Sequence, residues 1–218
     1  MVKSKTWMVR LLPPGSHAKK HNRIIRIRAP KSEMTVYFDC ILNLLERAKK
    51  CKVRSMEKGV IKALISNMPQ IGSVRWIGLR PERKAPLNPV DQASANTENG
   101  LSGDHFNGTY SDKRQVTLIQ KEHLDAVASM LQKDEIDPGL TRRNIVVSGI
   151  NLLALKDQKF QIGDAILEGT GYCHPCSQME TNLGEGGYNA MRGHGGITAR
   201  VVQAGEIKIG DGVSLWVE

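Results

Sequence analysis

The stretch Lys159-Phe-Gln-Ile-Gly-Asp-Ala-Ile-Leu-Glu168 decides the fold class of this chain. Two short apolar runs flank a Gly-Asp pair, a pattern that predicts a strand, a tight turn and a second strand. The same arrangement returns at Glu206-Ile-Lys-Ile-Gly-Asp211 and continues into Val213-Ser-Leu-Trp216. The shared Ile-Gly-Asp therefore predicts two similar corners in one sheet system.

Further strands are predicted on both sides of this stretch, at Ser73–Arg80, Arg114–Ile119, Asn144–Val147 and Ile197–Val202. Lys121–Gln132 has apolar residues at helical spacing and predicts a short helix. The polar stretch from Pro81 to Asn99 has almost no periodicity and predicts a long loop, and a loop of that length is functional or disordered. Many short strands with Gly/Asp turns and few helices predict a mainly β barrel or sandwich.

Charge divides the chain into two parts. Residues 1–67 hold 16 Lys+Arg against 4 Asp+Glu, a net of +12, whereas residues 68–218 hold 15 against 18, a net of −3. We therefore expect a basic N-terminal extension, 1–67, and a separate domain, 68–218. The extension is expected to be partly helical, at Thr35–Lys50, or disordered, with little regular structure in residues 1–32.

The basic extension is open to three interpretations. It can bind nucleic acid through phosphate contacts, be a disordered tail, or be sequence upstream of a true start at Met68. The last two are favoured, because the segment has no zinc spacing and no recognition-helix pattern.

No apolar run reaches the roughly 18 residues that a membrane span needs. The basic start is too interrupted for a signal peptide, so we expect a cytoplasmic protein with no membrane partner. Thiols stay reduced in that compartment, and four cysteines do not make a disulfide framework. Cys173 and Cys176 are therefore expected to be free thiols.

The glycine-flanked loop Gly169–Glu180 contains Cys173-His-Pro-Cys176. Redox chemistry, soft metal ligation and sulfur transfer all use thiols of this kind. A zinc site would need two more ligands. His105 and His194 could supply them only if the fold brings both side chains close to the two cysteines. A thioredoxin-like dithiol would open a helix in a βαβ unit, which the surrounding β pattern does not favour. Two ordinary loop cysteines remain the plain alternative.

Two other stretches can contact an anion or a ligand. Thr141-Arg-Arg-Asn144 precedes a strand directly, and guanidinium groups offer a planar fork to phosphate oxygens. Gly193-His-Gly-Gly196 either is a plain loop or allows the backbone to come close to a bound ligand. Lys113-Arg114 is predicted only to begin a strand. Spacing alone thus predicts an anion-binding β domain with a reactive thiol.

Together these pieces resemble the MOSC domain, named for the C-terminal domain of molybdenum cofactor sulfurase, and most of all its small bacterial stand-alone members of the YiiM type. The resemblance runs from about Gly72 to Trp216. It is carried, in the family's order, by Gly100-Leu-Ser-Gly-Asp104, Arg114-Gln-Val116, Thr141-Arg-Arg-Asn-Ile-Val-Val-Ser-Gly149, Phe160-Gln-Ile-Gly-Asp164, Pro175-Cys176 and Gly193-His-Gly-Gly-Ile-Thr-Ala-Arg200. It implies a β-barrel-like fold with a few short helices.

The resemblance also implies binding of molybdenum cofactor in its molybdopterin form. The family's catalytic metal-ligating cysteine maps onto Cys176, whereas Cys173 has no firm counterpart. The pattern that holds the pterin phosphate maps onto Arg142 and Asn144, with Arg143 between them. The loop of Gly193, His194 and Gly195 is expected to shape the cofactor pocket.

Relatives of this kind reduce N-hydroxylated compounds, including base analogues of the hydroxylaminopurine type. The resemblance thus favours a molybdenum-dependent oxidoreductase for a small N-hydroxylated substrate. Electrons are expected from a separate protein, because the chain has no flavin fingerprint and no iron–sulfur cysteine set.

Two alternatives remain open. One is a sulfur carrier that holds a cysteine persulfide and works with a pyridoxal-phosphate-dependent cysteine desulfurase. The other is an inert binder whose basic extension contacts nucleic acid.

Overall fold

The computed structural model describes residues 59–106 and 112–217, together with the backbone of residues 5–10 and 24–29. The chain divides into two units, Met1–Ser66 and Asn67–Glu218. In the first unit β1 (Lys5–Arg10) pairs antiparallel with β2 (Ile24–Ala29), and residues 59–66 form α1.

The pairing of β1 with β2 differs from the expectation for residues 1–32. The period-two alternation of Ile25-Arg26-Ile27-Arg28 is the signal that could have predicted it. The predicted helix at Thr35–Lys50 lies outside the described residues.

The second unit is built mainly from strands. They are β3 (Gly72–Leu79), β4 (Asn88–Val90), β5 (Gln92–Asn96), β6 (Gly100–Leu101), β7 (Val116–Gln120), β8 (Ile145–Ser148), β9 (Lys159–Ile162), β10 (Ala165–Tyr172), β11 (Ile197–Gln203), β12 (Gly205–Lys208) and β13 (Gly212–Leu215). Seven form a closed barrel in the order β13-β9-β10-β11-β7-β8-β3, which the pairing of β13 with β3 completes. Only β7 and β8 pair in parallel within the barrel. The predicted mainly β, barrel-like fold is confirmed.

The two Ile-Gly-Asp corners lie against each other. β9 pairs with β10 across Gly163-Asp164, and β9 also pairs with β13, which follows the second corner. The Asp164 amide donates to the Glu206 carbonyl at 3.1 Å, and the Gly163 amide donates to the Gly212 carbonyl at 3.4 Å. The repeated motif thus marks neighbouring turns at one end of the barrel.

The predicted loop from Pro81 to Asn99 contains two strands, which corrects the sequence-based expectation. β4 extends the barrel sheet beside β3, and β5 joins β12 and β6 in a separate three-stranded sheet. Ala93 and Ala95 form the buried face of β5. Alanine has low strand propensity and a small side chain, so this alternation gives almost no signal in the sequence.

Two apolar cores meet at β7 and β8. Leu118, Ile145 and Val147 belong to the core inside the barrel, whereas Ile119 and Val146 point outward into a second core. Successive residues of a strand face opposite sides, so both faces of these strands are buried and their sequences are continuously apolar.

Three helices cover the second core: α2 (Lys121–Met130), α3 (Gln178–Leu183) and α4 (Gly187–Ala190). Only α2 was predicted from the sequence. α3 and α4 are shorter than the windows in which helical periodicity is readable, although Met179 and Leu183 are buried at a spacing of four. None of the helices in the described part of the chain has the length and apolarity needed to cross a bilayer.

Candidate functional site

The segment between β10 and α3, residues 173–177, carries both cysteines, and we call it the thiol loop. The Cys173 amide donates to the Gly196 carbonyl at 2.9 Å, which ties the loop to the start of β11. Cys173 is buried and Cys176 is exposed, and both are free thiols. The Cys176 carbonyl accepts from the Met179 amide at 2.9 Å as the chain turns into α3.

Both thiols face a large cleft, which we call the arginine cleft. Its volume is about 1010 Å³, and it is lined by five arginines and two cysteines together with Pro81, Glu82, His105, Phe106, Thr117, His174 and Gln178. The arginines are Arg80, Arg83, Arg114, Arg142 and Arg143. Glu82 is the one acidic side chain among these lining residues, so the cleft is strongly cationic and suited to an anion.

Arg143 forms the buried floor of the cleft. Its Nε donates to the Gly195 carbonyl at 2.8 Å, Nη1 to the Thr141 carbonyl at 2.6 Å and Nη2 to the Cys173 carbonyl at 3.2 Å. The guanidinium thereby joins the thiol loop, the turn before β8 and the loop of residues 193–196 before β11, which we call the glycine loop. These bonds use nitrogens that a ligand would otherwise contact, so the side chain holds the cleft together.

Arg142, its neighbour, has a different environment. It is half-buried, lines the cleft and adopts a left-handed backbone with φ of 62°. Because a non-glycine residue in this region is strained, the conformation indicates a local constraint. Among the described residues, no carboxylate pairs with its guanidinium.

Asn144 is committed to internal hydrogen bonds. Its Oδ1 accepts from the Thr117 amide and hydroxyl at 3.2 and 2.7 Å. Its Nδ2 donates to the Gly78 carbonyl at 3.3 Å and to Asp104 Oδ1 at 3.1 Å. The amide thus joins β3, β7 and the Asp104 loop beneath the cleft, and its role in holding a phosphate stays a prediction.

Arg80, Asp104 and His105 make a compact cluster at the cleft wall. Asp104 Oδ1 accepts from the Arg80 amide at 2.8 Å, and Asp104 Oδ2 lies 3.3 Å from His105 Nδ1. The Arg80 guanidinium contacts the His105 ring, with Nε 3.3 Å from Nδ1. Sequence reasoning missed Arg80 because a single arginine after a strand has no distinguishing pattern.

The pKa shifts reflect how the arginines crowd together. Burial lowers the pKa of Arg80; Arg142 lowers it further, and Asp104 partly offsets this. Burial also lowers the pKa of Arg143; the sulfur groups of Cys173 and Cys176 offset part of this, while Arg114 and Arg142 add to it. The neighbouring guanidinium groups therefore repel one another in the absence of an anion.

Arg114 is brought to the buried thiol rather than serving only to begin a strand. Its Nη2 lies 3.8 Å from Cys173 Sγ. No local pattern predicts this contact, because Arg114 and Cys173 are 59 residues apart in the chain.

A second, smaller pocket of about 210 Å³ adjoins the arginine cleft. It shares Cys173 and His174 with the cleft and is completed by Leu153, Tyr172, Pro175, Gly193, Gly195 and Gly196. At Gly195 an added Cβ would lie 1.9 Å from the Cys173 carbonyl oxygen, so only glycine permits the two loops to approach so closely. Gly193 and Gly195 thus line a pocket beside the thiols.

His194 lies apart from both cavities. Its ring packs edge-on against His123 of α2, with ring centroids 4.9 Å apart. The buried Nδ1 atoms of both rings lack hydrogen-bond partners. Of the two histidines considered as zinc ligands, only His105 lines the arginine cleft. Within residues 59–106 and 112–217, no group of three or more His, Cys, Asp or Glu side chains could hold a metal ion.

Comparison with known proteins supports the assignment of the fold. A family model described as the MOSC domain matches residues 106–214, half of the chain, which confirms the resemblance inferred from the motifs. The YUAD protein from Bacillus subtilis has a TM-score of 0.59 at 19% identity, over 67% of this chain and 97% of that chain.

Two YiiM structures share the same fold. YiiM from Escherichia coli has a TM-score of 0.52 at 16% identity, over 67% of this chain and 70% of that chain. YiiM from Geobacillus stearothermophilus has a TM-score of 0.55 at 16% identity, over 67% and 75%. At these identities the likeness is one of fold. No curated protein sequence matches this chain.

Proposed function

This chain belongs to the MOSC domain family, and we propose that it binds molybdenum cofactor in its molybdopterin form and reduces N-hydroxylated compounds. The observation that carries the proposal is the meeting of an exposed thiol, Cys176, with five arginines in one cleft of about 1010 Å³. These residues come from separate parts of the chain, so their convergence is a property of the fold.

The donor set fits such a cofactor. A thiolate is a soft ligand suited to a metal that handles electrons, and guanidinium groups bind phosphate. The described residues offer no cluster of three metal-ligating side chains, so a metal here would bring further ligands with it. A pterin-bound molybdenum meets that condition, and the cleft volume suits a ligand of that size.

In this proposal Cys176 holds the molybdenum and Arg142 binds the phosphate of the pterin. Arg143 holds the thiol loop against the glycine loop, and Asn144 positions the segment that carries Arg142. The adjoining pocket beside Cys173 is lined largely by apolar surface and receives the body of the substrate.

The bound cofactor supplies two-electron reduction. The substrate N–O bond breaks, two protons and two electrons are taken up, and an amine and water leave. The electrons come from a separate electron-donor protein.

The test is the molybdenum and pterin content of protein purified from cells that make the cofactor. We expect Cys176→Ser to lower bound molybdenum by at least roughly tenfold, because a hydroxyl is a poor substitute for a thiolate ligand. Cys173→Ser is the matched control and is expected to retain most of the metal. Full molybdenum content in Cys176→Ser would contradict the ligand assignment, and equal loss in both variants would point to a dithiol site.

The exposure of Cys176 favours one alternative, a sulfur carrier. A persulfide on an exposed cysteine can be loaded by a cysteine desulfurase and passed to an acceptor. Mass spectrometry would then detect one added sulfur atom on Cys176 in protein that contains no pterin. Recovery of molybdopterin together with reduction of an N-hydroxylated substrate would exclude this alternative.

A further inference from the structure

We propose that His123 is a positioning residue: through the ring of His194 it holds the glycine loop against the thiol loop, and acid releases both loops by protonating the pair. The inference rests on the proposed function only for the effect that this release has on activity. The contact and its effect on the two loops follow from the geometry of the rings.

The glycine loop is bonded to the thiol loop. The Gly196 carbonyl accepts from the Cys173 amide at 2.9 Å, and the Gly195 carbonyl accepts from Arg143 Nε at 2.8 Å. Arg143 in turn donates to the Cys173 carbonyl at 3.2 Å. A displacement of the glycine loop therefore breaks bonds at the base of the segment that carries Cys176.

One side chain holds the glycine loop to α2. His194 packs against His123 of that helix, and the other three residues of the loop are glycines. Glycine has the most conformational freedom of any residue, so the backbone alone does not keep such a loop in place. The position of its carbonyls consequently depends on where the His194 ring is held.

α2 is a firm support for this contact. Leu124, next to His123, is buried in the second core together with Val127. Glu122 Oε1 accepts from the Gly149 amide at 2.7 Å and ties the start of the helix to the end of β8. His123 is therefore fixed by the barrel, and His194 takes its position from His123.

The two rings are arranged for the neutral form of both. Their centroids lie 4.9 Å apart and their planes are at 87°, an edge-to-face contact of the kind that aromatic rings prefer. Within the described part of the chain, neither buried Nδ1 atom has a hydrogen-bond partner. A neutral imidazole can leave that nitrogen unprotonated, whereas in the charged form both ring nitrogens are donors. Protonation thus buries an N–H group without an acceptor and sets a charge against the other ring.

The charged and titratable groups around the pair do not favour its protonation. Burial lowers the pKa of His123 most, His194 lowers it further, and Glu122, which already bonds the Gly149 amide, partly offsets this. The remaining such groups on α2, on the elements packed against it (β7, β8 and α4) and beside the glycine loop are Lys121, Asp125, Tyr188 and Arg192. The contact is therefore complete above the ordinary pKa of about 6.5 and is lost as pH falls through that value towards the lower folded pKa.

The direct test follows amide hydrogen exchange by NMR in the full chain at about pH 7.5 and about pH 5.5, expressed as protection factors. The Cys173 amide reports on the bond between the two loops. We expect its protection to fall by roughly tenfold or more at the lower pH, because the contact that restrains the glycine loop is lost. The Asn144 amide, which donates to the Thr117 carbonyl at 2.9 Å, is the internal reference and should keep its protection.

Two variants separate a loss of contact from a loss of charge. His123→Phe keeps an aromatic ring that cannot be protonated, and a charged His194 is attracted to its face, so Cys173 should stay protected at both pH values. His123→Ala removes the ring, and the protection of Cys173 should be low at both. Ser129→Ala, which changes an exposed residue of the same helix, should behave as the wild type.

An acid-dependent loss of Cys173 protection in His123→Phe equal to that of the wild type would overturn the proposal, as would unchanged protection in the wild type. An equal loss at the Asn144 amide would also overturn it, because the whole domain rather than the loops would then be opening. His123→Phe keeps the test decisive if the alanine variant fails to fold.

A second measurement connects the two loops to the reaction. In protein that contains molybdenum and pterin, we expect kcat/KM for an N-hydroxylated substrate to fall less in His123→Phe than in the wild type between about pH 7.5 and about pH 5.5. An identical decline in both proteins would contradict a role of His123 in the reaction while the proposed function stands. Acid-dependent loop release in a protein that never contains pterin would support the positioning by His123 while contradicting the proposed function.

Discussion

Arginines on two faces of the domain have opposite electrostatic environments. On the outer face of β10 and β11, Arg200 donates to Glu168 at 2.8 and 3.0 Å and to Asp112 at 3.2 Å, and these bonds raise its pKa, Glu168 most of all. In the arginine cleft, burial and Arg142 lower the pKa of Arg80. On the outer face the chain supplies acidic partners for its arginine, whereas in the cleft no carboxylate among the described residues forms an ion pair with the guanidinium of Arg80 or of Arg142.

The strongest test of this comparison is Arg143, a cleft arginine whose bonds all go to the protein. Arg143→Met leaves three backbone carbonyls, those of Thr141, Cys173 and Gly195, without their donor. We expect the free energy of unfolding to fall by about 3–5 kcal/mol, measured by urea denaturation. Arg75→Met, which removes an exposed arginine, should change stability by less than about 0.5 kcal/mol. A loss below about 1 kcal/mol for Arg143→Met would show that Arg143 is not structural.

Arg142 tests the opposite side of the comparison, because its backbone is strained and no carboxylate among the described residues pairs with its guanidinium. Glycine removes the cost of its left-handed backbone, about 1–2 kcal/mol, against an entropic cost of about 0.5–1 kcal/mol. We expect Arg142→Gly to raise the free energy of unfolding by about 0.5–1 kcal/mol while weakening phosphate binding. Arg142→Ala keeps the positive φ and should lose binding without the gain. Destabilisation by Arg142→Gly would mean that the guanidinium stabilises the fold.

The smallest predicted effect is on the pH dependence of stability, through the contact between His123 and His194. Burial lowers the pKa of His123, His194 lowers it further, and Glu122 partly offsets this. The folded state therefore disfavours the charged imidazole. Its stabilising contribution is complete above the ordinary pKa of about 6.5 and is lost as pH falls through that value towards the lower folded pKa.

We therefore expect His123→Gln to lose less stability than wild type between about pH 7.5 and about pH 5.5, measured by urea denaturation at each pH. Ser129→Ala, which changes an exposed residue of the same helix and removes no titratable group, should keep the wild-type slope. An unchanged slope in His123→Gln would place the titrating group elsewhere.

Most strands of the barrel were predictable because the residues within each strand and its turns carry the signal. Apolar runs of four to eight residues with Gly-Asp corners mark β9, β10 and β13 directly. The missed elements have weak local signals: β5 buries only alanines, and α3 and α4 are too short for a readable period. Their stability comes from packing against the barrel rather than from propensity.

The candidate site was predictable in part. Cys176 and Arg142 were singled out from motifs, and both line the cleft, whereas their roles as metal and phosphate ligands stay predictions. Arg80, His105 and Arg114 were not predicted as a group, because they come from three distant segments. His194 was predicted to shape the cofactor pocket together with Gly193 and Gly195, but its ring packs against His123 of α2.

The sequence by itself determined most strands of the barrel, the paired Ile-Gly-Asp corners, the thiol loop and the adjacent pair Arg142 and Arg143, since each depends on neighbouring residues and their turn chemistry. Only the tertiary structure decided which of two adjacent arginines serves the fold and which faces the cleft. Arg143 turns inward to three carbonyls from different loops, while Arg142, whose backbone is left-handed, lines the cleft. Those carbonyls become neighbours only when the barrel closes, so no local pattern distinguishes the two residues.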